Sequence, residues 1–163
     1  MTPKFPVRLA DLGDLPQVMH VLDGALLDTD ASEVRERIER NEVFVANRRK
    51  ESNDGEDGTN SDEPIHGALV LAEPEPRCYD PDAGAEPGTH PDAEIEAIAV
   101  RRRYRRQGIA SALVARARRN TDRRLVAVFD GRVRAFYESL GFDVRPVNDD
   151  GRFRGFDTSD ETP

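Results

Sequence analysis

Between residues 15 and 26 the apolar positions Leu15, Val18, Met19, Leu22 and Leu26 recur at threes and fours, the spacing that places them on one side of an α-helix. Asp14 stands before that run as its expected cap, and Pro16 is tolerated in the first turn. Residues 6–10 form a short strand ahead of it. A second helix is predicted from Ser32 to Arg40. Only Val34 and Ile38 are apolar there, and Glu33/Arg37 and Glu36/Arg40 are spaced for surface pairing, so it lies on the outside. Val43 to Ala46, Ile65 to Ala72 and Leu125 to Phe129 are apolar runs of strand length. Phe142 to Val147 and Arg152 to Phe156 can pair across Asn148-Asp149-Asp150-Gly151 as a hairpin. From Ile95 to Val100 every residue except Glu96 is apolar, and three arginines follow, which predicts a mostly buried strand ending at a polar edge.

Two segments interrupt this pattern. Residues 51–63 are acidic and rich in Gly, Asn and Ser, the composition of a mobile linker, and residues 73–91 are too Pro-rich for a packed sheet.

The chemistry is concentrated after the buried strand. Arg105-Arg106-Gln107-Gly108-Ile109-Ala110 leads into an alanine-rich segment, Ser111 to Arg119, of high helix propensity. A helix that starts directly after a glycine turn aims unpaired N–H groups and the positive end of its macrodipole outward, where anions bind. Gly108 removes a Cβ from the path of approach, Ala110 keeps the next wall low, and Arg105 and Arg106 add positive charge. A pyrophosphate fits such a turn. The Lys-Ser/Thr of a Walker loop and the extra glycines of a dinucleotide fingerprint are both missing.

Charge sharpens the picture. The chain carries 24 basic and 32 acidic residues, a net −8, yet residues 101–124 hold ten arginines against one acid, Asp122, leaving 14 basic against 31 acidic residues elsewhere. Lys4 and Lys50 are the only lysines. Abundant carboxylates of this kind are expected of a protein adapted to high salt, where they keep the surface hydrated. The N-terminus lacks a cationic start followed by an apolar stretch, and no window approaches the length of a membrane span, so secretion and spanning are not expected. One cysteine, Cys78, cannot form an internal disulfide, which fits a reducing cytoplasm. His20, His66 and His90 have no metal-ligand spacing, and Cys78, Asp80, Asp82 and His90 share a loop without a second cluster, so no metal is expected. At 163 residues a single domain over 1–163 is expected, with its core at about 7–156.

The turn resembles the Arg/Gln-x-x-Gly-x-Gly/Ala signature of the GNAT superfamily of acyl-CoA-dependent N-acyltransferases, matched by Arg105, Gly108 and Ala110, with Ile98-Ala99-Val100 ahead of it. Residues 133–142, VRAFYESLGF, resemble the family's second signature, a short Phe-Tyr helix closing at Gly-Phe. The order strand, helix, helix, three strands, helix, strand, helix, two strands also matches. The resemblance implies an α/β fold: a mixed, mostly antiparallel sheet of about seven strands flanked by about four helices, its fourth and fifth strands splayed around the pantetheine arm. It further implies acetyl-CoA as cosubstrate, held by Ile98, Ala99, Val100, Arg105, Arg106, Gln107, Gly108, Ile109, Ala110, Ser111, Asp130 and Phe136. One departure is Asp130, where the family often has Asn seven residues before the tyrosine. Homodimers are common in the family.

Moving an acyl group to a primary amine requires a neutral amine, a polarised carbonyl and a proton for the departing thiolate. Such an amine has a pKa of about 10, so a base must take its proton near neutral pH. Glu94, where a branch of the family keeps a catalytic glutamate, is the first choice, and Glu96, two residues on and expected on the same face, is the rival. The resemblance further implies that backbone N–H groups near Ile98 to Val100 polarise the carbonyl, and makes Tyr137 the candidate acid, unless it is simply a packed aromatic beside Phe136. Two other readings remain: a non-catalytic acyl-CoA sensor or regulatory module, and a nucleic-acid surface made by the arginines. The acidic remainder and the lack of interleaved aromatics argue against the second.

Overall fold

The computed structural model describes residues 5–24, 29–47, 64–72, 92–121, 123–147 and 151–158. The segments 51–63 and 73–91, with Cys78, Asp80, Asp82 and His90, lie outside the described residues, as do Leu26 and the hairpin residues Asn148 to Asp150.

The elements follow in the order β1 (Val7–Leu9), α1 (Leu15–Gly24), α2 (Ala31–Glu39), β2 (Val43–Asn47), β3 (Ile65–Ala72), β4 (Asp92–Val100), α3 (Ile109–Asn120), β5 (Arg124–Asp130), α4 (Arg134–Ser139), β6 (Phe142–Pro146) and β7 (Arg152–Asp157). The seven strands form one sheet in the order β1-β2-β3-β4-β5-β7-β6. The mixed α/β sheet with four helices is therefore as the sequence led us to expect. Antiparallel pairing joins β1 to β2, β2 to β3, β5 to β7 and β6 to β7. The pairing of β4 with β5 is parallel and runs over three residue pairs, from Asp92–Arg124 to Glu94–Val126.

By its internal contacts the chain divides into two compact units. One comprises Met1–Val70 and Ala97–Ala117, the other Leu71–Glu96 and Arg118–Pro163.

In the first unit, α1 buries Val18, Val21 and Leu22 and α2 buries Val34 and Ile38 in a cluster with Val43, Val45, Ala68, Val70, Ala97 and Ala99. The start of α1 differs from expectation. Asp11, not Asp14, is the cap: its side chain accepts from Gly13 N–H, ahead of a 3-10 turn over Leu12–Asp14 that runs into α1. Asp14 is fully buried and serves inward. It accepts two bonds from the Arg8 guanidinium, at 2.6 and 3.0 Å, and one from Asp11 N–H, at 2.9 Å. An inward-facing carboxylate needs such partners, and only the fold supplies Arg8. Helix α2 is capped by Asp30 and ends where Asn41 turns left-handed (φ 60°) and Glu42 N–H reaches back to Arg37 C=O. The expected pairs Glu33/Arg37 and Glu36/Arg40 give way to Arg35–Glu39 and to Arg37–Glu42, the latter because the chain turns back beside the helix end.

In the second unit, Phe129 of β5, Tyr137 of α4, Phe142 of β6 and Phe153 of β7 gather their rings into one aromatic cluster. Gly141, at φ 90°, ends the chain's exit from α4. Arg118 donates to buried Asp157 at 2.7 Å and to Leu140 C=O at 3.1 Å. That arginine, in the last turn of α3, is thus an internal tie.

Candidate active site

The turn between β4 and α3 belongs to the first unit. Strand β4 ends where Arg101 N–H donates to His66 C=O (2.8 Å) and Arg101 Nε to Ile65 C=O (2.7 Å), which pins the turn's entry to β3. A 3-10 turn, Arg102–Tyr104, follows, and Arg105 Nε returns to Val100 C=O at 3.1 Å. Arg106 then takes a left-handed φ of 64° and Gly108 one of 84°. For arginine this costs about 1 kcal/mol.

The first hydrogen bond of α3 runs from Ala112 N–H to Gly108 C=O, at 3.0 Å. The N–H groups of Ile109, Ala110 and Ser111 precede it and have no acceptor within the helix. A Cβ placed on Gly108 would meet no heavy atom within 4 Å, so the approach to those amides is open. Arg105, Arg106, Gln107 and Ser111 are exposed around it, Ala110 is half-buried, and Ile109 is buried. The site fits a diphosphate: free amides, an unobstructed backbone and two guanidiniums at one helix end.

The position of α3 is set from behind. At Gly67 of β3 a Cβ would lie 2.7 Å from Ile109 Cγ2, 3.2 Å from Leu113 Cδ1 and 3.3 Å from Ala99 C=O. Only glycine lets the strand pass this close to the first turn of α3. On β4, Ala99 is buried while Ile98 and Val100 are half-buried.

The remaining residues belong to the second unit. Glu94 is 5% exposed and Glu96 is exposed, so the two carboxylates expected on one face are not equivalent. Tyr137 is 4% exposed. Its ring stacks on Phe129 (centroids 4.3 Å apart, planes at 16°) and meets Phe136 and Phe142 edge-on at 5.1 and 5.3 Å. Burial pushes its phenol pKa well above the usual 10.0, because water no longer stabilises the phenolate. The tyrosine therefore holds its proton over any working pH.

Asp130 is exposed and caps the 3-10 turn Gly131–Val133. Its carboxylate accepts from Arg132 N–H at 3.0 Å and from Arg132 Nε at 3.3 Å. The Arg132 amide bond holds its pKa below the ordinary value against the opposing pull of desolvation. The Arg132 side chain and the charges of Arg132 and Arg152 add to that lowering. Its negative charge is thus locally offset. Among the described residues no group of three or more His, Cys, Asp or Glu side chains is placed to hold a metal ion, and no helix is long and apolar enough to cross a membrane.

What sequence reasoning missed is the support behind the turn. The Tyr104 ring packs on His66 with centroids 3.8 Å apart, and Phe5 meets both rings edge-on at 6.1 Å. No spacing signalled it, because the three residues are scattered through the chain.

An acetyltransferase (GNAT) domain model matches residues 62–144. No curated protein matches the sequence significantly. Among solved structures, an acetyltransferase of the GNAT family from Listeria monocytogenes is 15% identical, with 96% of this chain and 97% of that one covered at a TM-score of 0.63. Ard1 from Thermoplasma volcanium is 15% identical, covering 94% and 95%, at 0.60. N-acetylglutamate synthase from Neisseria gonorrhoeae, complexed with coenzyme A and N-acetyl-glutamate, is 16% identical at 0.62, and 96% of this chain matches 35% of that one.

Proposed function

Because the chain belongs to the GNAT acetyltransferase family, we propose that it transfers an acetyl group from acetyl-CoA to a primary amine by direct attack in a ternary complex. The observation that carries this reading is the turn itself. Left-handed backbone at Arg106 and Gly108 opens the amides of Ile109, Ala110 and Ser111 to a diphosphate. When bound, the thioester supplies an activated acyl carbon. The chain supplies positioning and proton transfer. Glu94 takes the proton of the amine, directly or through water, with the exposed Glu96 as the alternative base. Backbone N–H groups of Ile98 to Val100 donate to the carbonyl oxygen. As the new C–N bond forms and the C–S bond breaks, Tyr137, protonated at any working pH, gives its phenolic proton to the thiolate; its raised pKa opposes this transfer, which the thiolate must offset by approaching the phenol directly. Asp130 and Phe136 complete the cofactor contacts in this reading, which also places the protein in a salt-rich cytoplasm.

A second reading is favoured by one observation. Tyr137 is buried against Phe129, as a structural aromatic would be, and a chain that binds acyl-CoA without turning it over would look the same. Two measurements separate these readings and test the first. Calorimetry of acetyl-CoA with the parent and with Gly108→Glu is expected to show binding lost by about 100-fold or more, since bulk and negative charge enter the anion site. Normal binding by the variant overturns the turn's assignment. Thiol release across a panel of amines, run at high salt, is expected with at least one acceptor class. Tight binding with no turnover selects the sensor.

A further inference from the structure

A cavity lined by basic side chains lies in the first unit, beside the end of α1. Side chains alternate along a strand. Gly67 faces Ile109 and Leu113 of α3, so Ala68 faces the opposite way and packs with Val18, Val21 and Leu22 of α1, while a register shift at His66 brings Ile65 into the same cluster. On β4 the same alternation puts Ala97 and Ala99 in that α1-facing cluster, and Arg101 follows them in register. At the end of α1 this face opens into a cavity of about 490 Å³. Arg101, Arg102, Arg103 and Arg105 line it, with His20 and His66, and no Asp or Glu does so among the described residues.

In a chain with a net charge of −8, four guanidiniums and two imidazoles around one cavity are a concentrated positive field. Arg101 is also pre-organised. Its Nε is committed to Ile65 C=O, which orients its Nη groups for another acceptor. The His66–Tyr104 ring pair, tilted at 34°, with Val21 and Pro64 adds apolar wall. The volume far exceeds what inorganic phosphate fills and suits a small organic molecule.

We propose that this cavity binds a small organic polyanion, phosphate or carboxylate groups carried on a flat or apolar body, as a ligand separate from the acetyl-CoA held at the N-terminus of α3. Such a ligand would be either the acceptor's anionic end or an effector. Either way, the chemistry recognised is the same.

The test is calorimetric titration of the full chain with ADP, citrate and inorganic phosphate, in salt at which the chain melts cooperatively. ADP or citrate is expected to bind at about 100 µM or tighter, with inorganic phosphate about tenfold weaker. The preferred probe tells phosphate from carboxylate. Binding is expected to be unchanged, within about twofold, when acetyl-CoA is present at saturation. His20 and Arg103 are both exposed, so the double variant His20→Ala/Arg103→Ala should fold, with a circular dichroism melt as control. It is expected to bind the probe about tenfold or more weakly, yet to bind acetyl-CoA as the parent does. Three results overturn the proposal: no probe binding at millimolar concentration, undiminished binding by a folded double variant, or mutual exclusion of probe and acetyl-CoA, which would assign the cavity to the cosubstrate. Failure of acetyl-CoA to bind would count against the transferase reading alone, since probe binding by the parent and its loss in the variant are measured without it.

Discussion

Tyr137 shows how one residue can satisfy a packing role and a chemical one together. Its ring completes an aromatic stack, and the same burial holds its proton in place. Removing the hydroxyl leaves the stack intact, so Tyr137→Phe is expected to lower turnover by about 100-fold while acetyl-CoA affinity stays within about twofold. Steady-state rates set beside calorimetry will show it, and unaltered turnover removes Tyr137 from the mechanism. The raised pKa carries a stability consequence of definite sign. Below about pH 10 the phenol is protonated in folded and unfolded chains alike. Above that only the unfolded chain ionises, so stability falls as pH rises. In Tyr137→Phe that part of the alkaline loss is expected to vanish from denaturant melts between about pH 9 and 11. The sequence announced the residue through its Phe-Tyr motif. It could not announce the stack, because Phe129 and Phe142 come from different strands.

At the scale of elements, the turn's geometry depends on what holds α3 and α1 in place. Gly67 is the narrowest point: a methyl there would press on Ile109, a β-branched helix residue with little rotamer freedom, and on the backbone of β4. Gly67→Ala is expected to cost about 1–3 kcal/mol and, by shifting the first turn of α3, to weaken acetyl-CoA binding. Unchanged melting and affinity would show that the close approach is dispensable. Asp14 makes the comparable contribution to α1. Burial, the largest single influence, pushes its pKa up, yet the Arg8 hydrogen bond, the Asp11 amide and the Arg8 charge together hold it below the ordinary 3.8. A lowered carboxylate pKa stabilises the fold above about pH 4 and ceases to do so as pH falls through the folded value. Asp14→Asn is expected to lose about 2 kcal/mol at neutral pH and to show a flatter acid limb. The existence of the helices was legible because apolar spacing and propensity are local. The exchange of Asp11 for Asp14 as cap was not, since either aspartate suits the position and only the partner at Arg8 decides between them.

At the scale of the whole molecule, charge is the feature with the widest reach. The arginines of residues 101–124 divide among distinct tasks: Arg101 ties β4 to β3, Arg118 pairs with Asp157, and Arg124 lies over the Phe156 ring, 4.7 Å from its centroid. A stretch with these internal duties is poorly described as a free nucleic-acid surface. Carboxylates outnumber cations elsewhere in the chain, and concentrated salt screens their mutual repulsion within a Debye length of about 3 Å at 1 M. The melting temperature is therefore expected to rise by about 10 °C or more between about 0.2 and 2 M KCl. A flat or falling dependence would remove the case for salt adaptation. By itself the sequence determined the order of strands and helices, the glycine turn ahead of α3 and the family, because periodicity, propensity and short motifs are written in neighbouring residues. Tertiary structure alone decided which carboxylate on β4 is buried, which arginines are spent inside, what stacks on Tyr137 and where a second basic cavity opens. Those outcomes depend on side chains distant in sequence meeting in space, and no local pattern records which will meet.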